Sequence, residues 1–228
     1  MKMTKIYLLL SALFLCASCG DVVPREKQNY IPIYVTPFYE SEPLGVNAGP
    51  YSERLMSNSR SQMLALSEEF KRDKDNIHII PMAVLMVRLY DLGLKDEACY
   101  WYYTFQMRRN IVRSMLDNHW AEIGHPPFEL TSAADSFKQL AGEWINGYSF
   151  GDPEKLFALI EQIIEENRDM GYIAQAYDSN TYRFKPEAAQ QAYVDEQIEA
   201  MQGFITYLRE NKDDILRQRR ENGIEGKY

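Results

Sequence analysis

The chain has 228 residues, 25 Lys and Arg against 33 Asp and Glu, and a net charge of −8 with neutral His. That length holds one good-sized domain or two small ones. The acidic balance argues against nucleic acid and against direct adsorption to anionic lipid.

The first residues divide into three parts. Lys2 and Lys5 give a positive start, the eleven residues Ile6 to Cys16 are almost all apolar, and small Ala17 and Ser18 precede Cys19. Charge, apolar stretch and small residues are the layout of an export signal. The apolar run is too short to span a bilayer, which needs ~20 residues. Cys16-Ala17-Ser18-Cys19-Gly20 resembles the lipobox of bacterial lipoproteins, with Cys16 where Leu, Val or Ile is usual. The resemblance implies that residues 1–18 are removed and that Cys19 becomes a lipidated first residue. The short, cysteine-rich ending is similar to lipoproteins of the Bacteroidetes type, many of which reach the outer membrane. The expected location is therefore the cell envelope, with the membrane engaged through lipid on Cys19. The mature chain would lose Lys2 and Lys5 and carry a net charge of −10. With Cys16 removed and Cys19 lipidated, Cys99 is left alone, so no intramolecular disulfide is expected. Cys99 reads as a small buried hydrophobe.

Residues 19–50 read as a lipidated tether. Pro24, Pro32, Pro37, Pro43 and Pro50 forbid a long helix there. As a free coil it would reach about 30 Å. Tyr30, Ile31, Ile33, Tyr34, Val35, Phe38 and Tyr39 are too apolar for free solvent, so part of the tether is expected to lie extended on the domain.

Residues 51–222 read as an all-α domain of about six helices packed as antiparallel hairpins, in a bundle or a short right-handed stack. Met63, Leu66 and Phe70 mark the first, and Pro81 is placed as the opening residue of the second. Leu94, Ala98, Trp101, Phe105, Val112 and Leu116 stripe the third. Thr131 or Ser132 is the expected cap of the fourth, and Asp152 caps the fifth with Pro153 at its first position. Gly171 is placed at the end of the fifth. Tyr172 to Lys185 reads as extended, pinned by tyrosines and Phe184. Pro186 opens a last helix with a heptad-like seam from Val194 to Ile215. Residues 223–228 are expected to fray.

Leu89 to Ala98 followed by Trp101 and Tyr102 resembles the middle of a tetratricopeptide-type repeat, with Gly93 in the turn and Ala98 and Tyr102 on the second helix. A second copy at a period near 34 residues is not seen, so the resemblance implies one helical hairpin and no array. Two longer blocks, Asp96 to Arg108 and Phe137 to Asp152, are similar to an uncharacterised family of helical bacterial proteins. That resemblance implies a fold and carries no activity.

Few residues offer chemistry. His119, Glu122 and His125 are ligand types at steps of three, but Gly124, Pro126 and Pro127 interrupt any helix there, so they stand only as weak zinc candidates. Glu161, Glu165, Glu166 and Asp169 read as a solvated acidic face. No nucleophile elbow, phosphate loop or base partner for Cys99 is present, and no cofactor is called for. Arg108, Arg109, Glu143, Trp144, Asn146 and Tyr148 form the expected binding surface, mixing charge and aromatics near a Gly-bounded turn. The leading expectation is a lipid-anchored, non-catalytic helical module that binds a protein partner in the envelope, such as an immunity protein or an accessory subunit. An envelope hydrolase acting on glycan and a small-ligand binder are the alternatives.

Overall fold

The computed structural model describes residues 21–24, 27, 48–117, 123–169 and 175–228. The fold is all-α: among the described residues there are eight α-helices, two single-turn 3-10 helices and no strand. The helices are α1 (Ser52–Leu55), α2 (Arg60–Arg72), α3 (Ile79–Asp91), α4 (Lys95–Met115), α5 (Pro126–Ser149), α6 (Pro153–Glu166), α7 (Glu187–Glu210) and α8 (Lys212–Glu221). No helix among the described residues is long and apolar enough to cross a membrane.

The centre is the α3–α4 hairpin. Ten of the thirteen residues of α3 are buried, and fourteen of the twenty-one of α4. A helix buried all round is a core element rather than a surface one. α4 packs most extensively on α3 and also touches α5, α6 and α7. The tight connection rests on Gly93, at φ +77°, a conformation that costs a residue with a Cβ. α7 runs across both α4 and α6 through Val194, Ile198, Ile205 and Leu208, the expected seam.

Several boundaries differ from the sequence reading for identifiable reasons. α3 begins two residues before Pro81, because His78 supplies an N-cap: its Nδ1 accepts from Ile80 N at 3.3 Å. α5 begins at Pro126 with His125 at the N-cap position, five residues ahead of Thr131. The Thr131 hydroxyl donates back to the Pro127 and Phe128 carbonyls, a within-helix role rather than a cap. α6 starts as expected, with Asp152 accepting from Lys155 N at 3.2 Å, but it ends at Glu166, ahead of Gly171, which lies outside the described residues. The last helix is two, broken at Asn211 between α7 and α8.

The described part of the 172–185 segment is extended where it matters. Phe184 bridges Leu116, with Asp117 N on the Arg183 carbonyl at 2.9 Å and Lys185 N on the Met115 carbonyl at 2.8 Å. Tyr177 packs on Tyr182 and Phe184.

Most of the tether, including the apolar run Tyr30 to Tyr39, lies outside the described residues, as do Cys19 and the leader. Asp21 to Pro24 are described, and they are not free. Asp21 accepts from Ser61 N at 2.7 Å and from the Ser59 and Ser61 hydroxyls. Arg60 N reaches the Asp21 carbonyl at 3.0 Å, and Val22 bridges Ser59. Those hydrogen bonds, led by Ser59, hold the Asp21 carboxyl below the usual range. The chain is therefore docked on the start of α2 at residue 21.

Candidate functional site

Helix α5 ends at Ser149 and α6 starts at Pro153, so the chain reverses in three residues. The reversal lies beside the start of α4. Between the three helices opens a cleft of about 590 Å³, closed on one side by α8 and the C-terminal turn. That volume is in the range of sites for small organic ligands. Tyr100, Leu156, Ala158 and Leu159 give it apolar walls, and Tyr148 stands at the α5 side.

Six charged side chains line it: Lys71, Asp96, Glu97, Asp152, Lys155 and Arg219. Lys71 pairs with Glu97 at 2.6 Å, and Lys155 with Asp96 at 2.5 Å. The Tyr148 hydroxyl also donates to Asp96 at 2.9 Å. Burial works to raise the Asp96 pKa, but the bonds from Lys155 and Tyr148 outweigh it and hold it below the ordinary value. Asp152 is engaged as the cap of α6. Tyr100 donates to Glu166 at 2.6 Å. Cys99, at the back, has its thiol pushed up to about 12 by burial, so it stays protonated and is a poor nucleophile.

Arg219 is the exception. It is 8% exposed, and it reaches the cleft from α8. Among the described residues its guanidinium makes no hydrogen bond and no ion pair. Its Nη2 lies 3.4 Å from where a Cβ on Gly151 would stand, so the missing side chain at 151 keeps the space beside the cation open.

The expected binding surface is divided by the structure. Tyr148 lines the cleft. Glu143 and Trp144 lie outside its lining, where they hold the C-terminal turn. Tyr228 lays its ring on Gly147, where a Cβ would come within 2.5 Å of it. The ring meets Trp144 edge-on at 5.7 Å, and its hydroxyl donates to Glu143 at 3.0 Å. Lys227 reaches the same carboxylate at 3.3 Å. In the segment 223–228, expected to fray, the Tyr228 ring is thus seated at Gly147, while residues 223 and 225–227 are exposed. Asn146 is structural: it accepts from the Tyr103 hydroxyl at 2.8 Å and donates to that of Tyr102 at 3.3 Å, fastening α5 to α4.

Arg108 and Arg109 are not a surface. Arg108 is fully buried; its Nε donates to Asn167 at 2.7 Å and its Nη1 to the Lys74 carbonyl at 2.6 Å. Arg109, also buried, holds Asp135 of α5, which Arg113 reaches at 3.1 Å. These arginines lie on buried sides of α4 because that helix is wrapped by neighbours, which one apolar stripe does not reveal.

Of the zinc candidates, His125 is at the N-cap position of α5, while His119 and Glu122 lie outside the described residues. Among the described residues no cluster of three metal-ligand side chains occurs. The acidic face of α6 is largely tied: Glu161 to Arg209 at 2.7 Å, Glu165 to Arg168 at 2.6 Å, and Glu166 to Tyr100.

An uncharacterised protein of Haemophilus influenzae is similar to this chain, 25% identical over 173 residues that cover 74% of it. The match takes in 62% of that relative's own length, so the chain spans less than two thirds of it. No family model and no solved structure matches.

Proposed function

We propose that the chain is a lipid-anchored module of the cell envelope that binds a small ligand in the α4–α5–α6 cleft and does not turn it over. The cleft itself is the observation that carries this reading. It has the size and the apolar walls of a ligand site, and its reactive groups are already engaged. A general acid for glycan hydrolysis needs a carboxyl held protonated, and Asp96 is shifted the other way. Cys99 is a neutral thiol.

Protein docking draws on the helical hairpins, on aromatics able to face solvent and on the lack of a catalytic set. Of those aromatics, Tyr102 and Tyr103 are buried, and Trp144 meets the Tyr228 ring edge-on. The exposed large apolar residues, such as Met56, Leu64, Ile123 and Tyr207, come from separate elements, and scattered ones do not mark a partner surface.

The anchor is read from the sequence around Cys19. With lipid there, only Gly20 separates it from docked Asp21, a reach of about 8 Å over two residues. The module then rides close to the bilayer with the start of α2 towards it, rather than at the end of a long tether.

Native mass spectrometry of the protein purified from envelopes tests the reading, with Leu159→Trp as a variant that fills the cleft and a melting curve to confirm that it folds. Wild type is expected to carry a small-molecule adduct that the variant lacks. Identical spectra, turnover of cell-wall glycan, or a stoichiometric protein partner kept by the variant would each contradict it.

A further inference from the structure

A buried cation without a counter-charge is costly, because desolvation is not offset by pairing. Arg219 borders the cleft at 8% exposure with no counter-charge among the described residues, whereas Lys71 and Lys155, lining the same space, are each matched to a carboxylate. The lining has three cationic and three anionic side chains, but Asp152 is committed to the amide of Lys155, and among the described residues no carboxylate lies within salt-bridge distance of Arg219. Gly151 leaves open the space next to the guanidinium.

We propose that the cleft binds an organic monocarboxylate with an apolar or aromatic body, its carboxylate on the Arg219 guanidinium beside Gly151. A planar guanidinium matches a carboxylate with two parallel N–H···O bonds. The body lies along Leu156, Leu159 and Tyr100. Phosphate fits less well. A helix start favours phosphate when its amides are free, but the start of α6 has Pro153, which has no N–H, and Asp152 takes the Lys155 amide. A dianion would also face the Asp152 and Asp96 carboxylates with one unmatched cation to balance it.

The inference rests on the cleft being the binding site. The test is titration of the full chain with phenylacetate, its neutral analogue phenylacetamide, and inorganic phosphate, followed by calorimetry or by NMR. The expected result is saturable binding of phenylacetate, with phenylacetamide weaker by about tenfold or more and phosphate failing to compete. Arg219→Gln is expected to bring phenylacetate down to the level of the amide and to leave the amide unchanged. Gly151→Ala, whose methyl would stand 3.4 Å from the Arg219 Nη2 and 3.0 Å from the Tyr148 carbonyl, is expected to weaken phenylacetate more than phenylacetamide. The comparison of acid with amide on the wild-type chain needs no variant to fold. Equal affinity for acid and amide would remove Arg219 from the site while leaving the cleft as a binder. Absence of phenylacetate binding, displacement by phosphate, or an unaffected Arg219→Gln variant would each overturn the proposal.

Discussion

His78 holds the start of α3 through a lone pair that only the neutral ring possesses. Its Nδ1 accepts from Ile80 N, and burial lowers its pKa below 6.5. A depressed folded-state value means that the contribution to stability is complete above about pH 6.5 and is lost as pH falls, because the unfolded chain takes up the proton first. Asn caps without titrating. His78→Asn is therefore expected to lose less melting temperature than wild type between about pH 7 and about pH 5. Equal losses would show that His78 does not govern this range. This cap was not legible in the sequence, because Pro81 offered a more familiar start signal and His is an uncommon cap. Arg219 escaped for a related reason. It sits in a run of charges from Arg217 to Glu221 that reads as a solvated face, and only the fold places it against Gly151. Cys99 was legible, since its apolar neighbours predicted a buried, unreactive thiol.

At the scale of elements, patterning served where one face is buried and failed where all faces are. The seam of α7 and the Asp152–Pro153 start of α6 stand where the periodicity and capping chemistry put them. For α4 the stripe from Leu94 to Leu116 is real, but burial extends round the helix, so Arg108 and Arg109 ended up as internal ties. The break at Asn211 escaped because no Pro or Gly marks it. The C-terminal turn escaped because a short polar tail carries no periodicity, and its anchor is a hollow at Gly147, 81 residues earlier in the chain. Gly147→Ala is expected to unseat Tyr228, because the ring has no room beside a Cβ. Amide exchange at Lys227, whose N–H bonds the Ile224 carbonyl at 3.2 Å, should speed up while the melting temperature changes little. Unchanged protection at Lys227 would show that the turn is held by other contacts.

For the whole molecule, the apolar core also holds several tyrosine hydroxyls and the Cys99 thiol. Burial raises Tyr90 to about 12 and Cys99 to about 12, and pushes Tyr103 higher still. Raised values contribute stability that is complete below the unfolded values of 9.0 for Cys and 10.0 for Tyr and is lost as pH rises towards about 12. Phenolate absorbance is expected to appear in two phases, the later coinciding with loss of helical signal. A single smooth titration with helix intact would contradict the buried assignment. The same molecule, docked on the start of α2 at Asp21, leaves only Gly20 between that contact and Cys19. The function proposed here places that cysteine in a membrane. The most direct test is the intact mass of the protein purified from its native membranes. The account predicts a chain that begins at Cys19 and carries acyl groups on it. A chain that retains Met1 and has a free thiol at Cys19 would contradict it.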